Sequence, residues 1–266
     1  TWGITIASWN IRTPAAEDLK AGDGWEQRLP YIARIAIYND FEILGAQEVV
    51  KVQLDLLQKK MPNFSYVGVA RDDGKNKGEY APIFYNHNLF RLEDSGHFWL
   101  SKTPNKPSKG WDASYIRICT WAKFTVFNKA KPFFVFKTHL DHQDRTSQAE
   151  SAKLILSQIQ KIAKDNPVIL LGDFNIHERD PIFRSFLEGN LLIDSYNTAQ
   201  IRNANSGTFN HFKMENQSMD RLDHILVSPI LKIKKYGILT DTYSVEGKRR
   251  FISDHFPVVI EIDFFE

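Results

Sequence analysis

Short apolar runs recur from one end of this 266-residue chain to the other, and they limit the folds open to it. The runs are Ile4–Ile11, Glu42–Ala46, Tyr66–Val69, Pro82–Tyr85, Phe98–Leu100, Cys119–Phe127, Phe133–Thr138, Val168–Leu171, Leu222–Val227 and Pro257–Phe264. Each is of strand length, rich in β-branched and aromatic residues, and bounded by Gly, Pro, Asn or Asp. Helical periodicity is rarer. It covers Trp25–Asn39, where Pro30 is tolerable only in a first turn, and Val52–Lys60. It is clearest in Thr146–Lys164, with an apolar stripe of Ala152, Ile155, Ile159 and Ile162. Asp180-Pro181 reads as a cap followed by proline at the first helical position, opening a short helix through Leu187. Many strands with few helices predict an α/β (α+β) fold layered around one core. No composition break or repeat interrupts it, so residues 1–266 read as a single domain. The stretch Tyr66–Phe136 has no helix between its strands, which predicts antiparallel pairing and a mixed sheet or two packed sheets.

Charge and cysteine content narrow the function classes. Lys and Arg total 34 against 32 Asp and Glu, a net charge of +2, too even to mark a nucleic-acid binder by charge alone. The single cysteine, Cys119, forms no internal disulfide, and no Cys/His set has zinc spacing. No run approaches the ~18 apolar residues of a membrane helix. The chain opens on Thr1 without a charged-then-apolar leader, so location stays open between cytoplasmic and exported after loss of a leader.

The chemistry gathers at the ends of the apolar runs. In Asn166-Pro-Val-Ile-Leu-Leu-Gly-Asp-Phe-Asn175 a buried-type strand runs into Asp173 and Asn175, which alternation puts on one side. An Asx-rich turn would explain that segment equally well. Yet Phe41–Glu48 also ends in a carboxylate, and Phe133–Thr138 ends in His139 with Asp141 and His142 behind it. Asp223 and His224 interrupt Leu222–Val227, and Asp254 and His255 precede the last run. In Ile4–Asn10 the positions Ile4, Ile6 and Ser8 share a face that delivers Asn10 at the strand's exit. Strand ends of one sheet edge converge in space. Converging carboxylates without thiols suit a hard cation, Mg²⁺ or Mn²⁺.

The ordered series Trp9-Asn10-Ile11, Gln47-Glu48, Thr138-His139-Leu140, Gly172-Asp173-Phe174-Asn175, Leu222-Asp223-His224-Ile225 and Ser253-Asp254-His255-Phe256-Pro257 resembles the endonuclease/exonuclease/phosphatase superfamily, the deoxyribonuclease I-like fold. The resemblance implies a four-layer sandwich, two mixed β-sheets face to face with helices outside. It also implies metal-dependent hydrolysis of a phosphate ester. On that basis Glu48 is the principal metal ligand, with Asn10 and Asp254 close to the ion. Asp173 orients and deprotonates the attacking water, and Asn175 fixes its direction. His139 and His255, the latter oriented by Asp223, bind the phosphate and stabilise its developing charge.

The segments Gly78–Tyr85 and Lys109–Asp112 are similar to those of a bacterial, phosphohydrolase-like branch of that superfamily. Lysines in the loops 71–80 and 101–115 are interleaved with Asp72, Asp73, Glu79 and Asp112, which reads as solvated loop charge. Arg117 abuts an apolar run, so its guanidinium is placed to touch phosphate or a carboxylate. Tyr80, Trp111 and Trp99 offer a stacking wall, and His142 a second polar contact. These features favour a small polar substrate such as a sugar or inositol phosphate, with nucleic acid as the alternative. No hydrophobic hairpin suits membrane insertion, and no protein partner is implied. A catalytically silent binding module would have lost motif residues, and here all are present.

Overall fold

Alternation along β1 (Gly3–Asn10) sorts its side chains between two cores. Ile4 and Ile6 pack between two sheets, while Ala7 and Trp9 pack under helices. The computed structural model describes residues 3–216 and 218–263, so Thr1 and the Phe264 assigned to the last run lie outside the described residues. After β1 come α1 (Ala16–Ala21), α2 (Trp25–Tyr38), β2 (Ile43–Gln47), α3 (Lys51–Lys60), β3 (Phe64–Val67) and β4 (Ile83–Asn86). The chain then builds β5 (Phe90–Trp99), β6 (Ile118–Val126), β7 (Phe133–His139), α4 (Arg145–Ala163), β8 (Val168–Asp173) and α5 (Pro181–Ser185). It continues through β9 (Ile193–Asp194), α6 (Ser195–Thr198), β10 (Ile201–Asn203) and β11 (Asp223–Val227). It closes on β12 (Lys232–Ile238), β13 (Thr242–Val245), β14 (Lys248–Phe251) and β15 (Val258–Asp263).

One sheet runs β10-β12-β15-β1-β2-β4-β3, and the other β5-β6-β7-β8-β11-β9. Both are mixed: β1 is parallel to β2 and antiparallel to β15, and β8 is parallel to β7 and antiparallel to β11. Ile4, Ile43 and Ile83 of the first sheet meet Phe124, Val135 and Leu171 of the second in a common core. Outside the first sheet α2 and α3 bury Leu29, Ile32, Leu54 and Leu57. Outside the second, α4 and α5 bury Ala152, Ile155, Ile159 and Phe183. The expected four-layer sandwich forms. The antiparallel stretch Tyr66–Phe136 divides between its sheets: β3 and β4 pair in the first, β5 to β7 in the second.

Three local expectations need correction. Pro30 lies in the second turn of α2, not the first. The lost backbone bond is tolerated because Leu29, Ile32, Ala33 and Ala36 bury that face, and their packing exceeds a penalty of about 3 kcal/mol. Phe98 and Trp99 are only the buried end of β5, with Leu100 just beyond it, and the β5 residues Arg91, Glu93, Asp94 and Ser95 face solvent at a sheet edge. The helix opened by Asp180-Pro181 stops at Ser185 rather than Leu187.

Registers place the polar strand ends together. Asn10 pairs with Gln47 beside Glu48, and His139 and Asp223 both pair with Asp173. Gly172 makes the closest of these approaches. Its φ is +151°, and a Cβ there would stand 1.8 Å from the Thr138 carbonyl oxygen on β7. Only glycine lets β8 lie this close.

Candidate active site

Asn10 leaves β1 between the sheets and joins the two carboxylates that face it. Its amide nitrogen donates to Glu48 Oε2 at 2.5 Å and to Asp173 Oδ2 at 3.0 Å. Its Oδ1 accepts from the Arg12 backbone N–H. His139 Nε2 and His255 Nε2 stand 3.4 and 3.7 Å from the same Asp173 oxygen. His255 Nδ1 donates to Asp223 Oδ2 at 2.8 Å, which fixes the ring. The other oxygen of Asp173 accepts from the Asn175 backbone N–H, while the Asn175 side chain donates to the Leu140 carbonyl. Glu48 and Asn175 both hold positive φ, 60° and 54°, so backbone strain is concentrated where side chains must be aimed. Among the described residues, one donor atom each from Glu48, Asp173 and His255 lies within 4.8 Å of the others. Asp254 sits at the rim, its carboxylate 3.9 Å from Arg12 Nε.

Burial and charge oppose one another throughout this cluster. Burial would raise the Asp173 carboxyl, but His255, His139 and the Asn10 hydrogen bond outweigh it and hold it well below the carboxylate range. Glu48 is likewise lowered against burial, by His139, Asn10 and His255. Burial depresses His139, with Arg117 adding to the effect. Burial also works against the His255 imidazolium, yet Asp223 and Asp173 raise it well above its ordinary value. Burial pushes Asp254 up to about 6 against the charges of His255 and Arg12. The donors are oxygen-rich and contain no thiolate, so they fit a hard divalent cation. A protonated His255 is better suited to donate to an anion than to ligate that cation.

The model of the Endonuclease/Exonuclease/phosphatase family matches residues 7–255, almost the whole chain. This chain belongs to that family. Two solved structures from Bacteroides thetaiotaomicron share its fold closely. One is an endonuclease/exonuclease/phosphatase family protein, 42% identical with a TM-score of 0.97, covering 100% of this chain and 99% of that one. The other is described as a mannosyl-6-phosphatase, 43% identical with a TM-score of 0.95, covering 98% of this chain and 100% of that one. A zebrafish (D. rerio) TDP2 complexed with a single-strand DNA product shares the fold at 16% identity, with a TM-score of 0.74 over 99% and 100% of the two chains.

Around this family's polar centre the loop residues fall into different places. Arg117 is buried just before β6, with its NH2 3.5 Å from His142 Nδ1 and its Nε 3.9 Å from Asp141 Oδ1. Tyr115, 54% exposed, stacks on His142 and lies under both Arg71 and Arg117. Tyr80 is not with them: its ring belongs to the core under the first sheet. Trp99 is buried too, its indole donating to the Arg71 carbonyl, and Trp111 is half-buried at a positive φ of 52°. His224 is a scaffold histidine, bonded through Nε2 to the Ile176 carbonyl between Phe174 and Phe183.

Supporting roles escaped the sequence reading. Arg12 faces Asp18, Asp254 and Glu48. Ser253 Oγ donates to the Asn10 carbonyl at 2.6 Å, tying the last motif to β1. Thr208 Oγ1 accepts the N–H groups of Leu222 and Asp223, and the Phe209 ring lies 4.8 Å from His255. Ser253 was legible beside Asp254. Thr208 and Phe209 sit in a loop with no periodic signal.

Proposed function

We propose that residues 1–266 act as one unit, a divalent-metal-dependent phosphoesterase of small, polar phosphorylated molecules such as sugar or inositol phosphates. The convergence of Glu48, Asp173 and His255 carries this reading, and the likeness to a mannosyl-6-phosphatase supports the substrate class. Glu48 would hold the ion with Asn10 and Asp254 beside it. The ion, Mg²⁺ or Mn²⁺, supplies charge stabilisation to the phosphoryl oxygens.

The chain's own groups do the rest. Asp173 takes the proton of the attacking water, which Asn175 helps to direct. A carboxylate depressed by two imidazoles is a weak base on its own. A bound phosphate draws the N–H groups of His139 and His255 toward its own oxygens. Its negative charge offsets part of that depression at Asp173. Asp223 keeps the His255 donor aimed as charge grows on the phosphoryl group. Arg117 and His142 face the same region, with Trp111 further out as a substrate contact; Tyr80, its ring in the core, is not among them.

The test supplies the protein and Mg²⁺ with hexose and inositol monophosphates in one series and supercoiled plasmid in another. Phosphate release from the small esters is expected. Robust nicking without phosphate release overturns the substrate assignment and favours a nuclease.

A further inference from the structure

Arg117 is a buried cation that its own protein pairs only through one long contact, to Asp141 at 3.9 Å. It is 4% exposed, and its Nε is buried without a hydrogen-bond partner. The carboxylate nearest to it, Asp141, is already engaged: Oδ1 accepts from Ser114 N–H, and Oδ2 from Gln143 and Asp144 N–H. Asp141 approaches Arg117 only to 3.9 Å. Arg71 shares the Tyr115 ring, but it is matched by Glu79 at 2.6 Å. Arg28 gives the contrast. It too is buried, and four backbone carbonyls, those of Asp23, Ile11, Ile252 and Arg12, receive its N–H groups. Burial lowers the Arg117 guanidinium's proton affinity, and Arg71 lowers it further. A charge in this condition gains most from an incoming anion.

Its position says which anion. Cys119 pairs with Thr138 across β6 and β7, so Arg117 lies at the end of that pair where His139 emerges. Arg117 is among the charges that depress His139. A phosphodiester brings one negative charge to this centre, whereas a phosphomonoester brings about 1.5 to 2 near pH 7. We propose that Arg117, positioned by His142 and lying against Tyr115, reads the second charge of a phosphomonoester and selects it over a diester. This rests on the phosphoesterase reading above and assigns its monoester preference to a residue.

The experiment compares kcat/KM for para-nitrophenyl phosphate and bis-para-nitrophenyl phosphate with Mg²⁺, in the wild type, Arg117→Gln, Arg117→Lys and His142→Ala. Thermal unfolding identifies the folded variants, and inhibition by inorganic phosphate is measured in each. In Arg117→Gln the monoester-to-diester ratio falls by about 10- to 100-fold, the range for losing a charged hydrogen bond. Arg117→Lys keeps part of the ratio, exposed His142→Ala loses less of it, and phosphate inhibition weakens in the same order. Should Arg117→Gln not fold, Arg117→Lys and His142→Ala decide the outcome. Parallel loss on both esters, or an unchanged ratio in the folded variants, overturns the assignment. If the wild type cleaves neither these esters nor the hexose and inositol monophosphates with Mg²⁺ or Mn²⁺, the phosphoesterase reading itself falls.

Discussion

Replacing Gly172 with alanine tests whether close approach of β7 and β8 is what sets the Asp173 carboxylate, the base of the proposed mechanism. The new Cβ would stand 1.8 Å from the Thr138 carbonyl oxygen and 2.8 Å from its carbon, both backbone atoms. No rotamer change relieves such a clash. Ordinary contact begins at 3.4 Å, so the strands must part by about 1.6 Å (3.4 less 1.8). That movement sacrifices local ladder hydrogen bonds, worth about 0.5–1.5 kcal/mol each, and adds overpacking strain of about 1–3 kcal/mol. The expected loss is about 3–5 kcal/mol, from a total stability of order 5–15 kcal/mol for a domain. Asp173 moves with the strand, and a misplacement of about 1 Å costs roughly 100-fold in rate. Urea unfolding and phosphate release would be measured beside Gly189→Ala as a control. Gly189 also has positive φ, 74°, but a Cβ there meets nothing within 4 Å, so it should lose only about 1–2 kcal/mol. The reasoning is refuted if Gly172→Ala proves no less stable than Gly189→Ala and keeps full activity.

Asp173→Asn should leave the sheets paired yet lower phosphate release by about 10²- to 10⁴-fold, and unchanged hydrolysis of every ester tried would remove Asp173 from the mechanism. His224 gives a pH signature in stability. Burial lowers its imidazole from 6.5 to about 4, so between those values the unfolded chain binds a proton that the folded chain refuses. Its contribution is complete above about pH 6.5 and is lost as pH falls toward 4, about 3 kcal/mol in all. Urea titrations at stepped pH should show this slope flattened in His224→Gln, and an equal slope in both proteins would contradict it.

The buried strands were readable because two-sided burial produces apolar runs, as in Val168–Leu171 and Phe133–Thr138. The motif ends of those runs supplied the candidate site. Elements whose order comes from neighbours were not readable. Lys232–Ile238 carries lysines at Lys232, Lys234 and Lys235, and Arg91 to Ser95 in β5 is polar. Their pairing with an adjacent strand outweighs their composition. Pro30 shows the same override within a helix. At the site, Asn10, Glu48 and Asp173 stood out because a polar residue ending an apolar strand is conspicuous. Arg12 and Thr208 did not, since arginine or threonine in a loop has many ordinary uses. Tyr80 drew attention as an aromatic beside a long loop, but its ring was needed to close the core under the first sheet.

β1 lies between β2 and β15, so the sheet seats its earliest strand against its latest. Asn10 thus waits for His255, and Ser253 binds the Asn10 carbonyl only when that final segment has docked. A nascent chain whose last segment is still in the ribosome holds Glu48 and Asp173 but not Asp254, the His255 donor or the Ser253 clamp. The site is therefore assembled only when the segment carrying Ser253, Asp254 and His255 docks against β1.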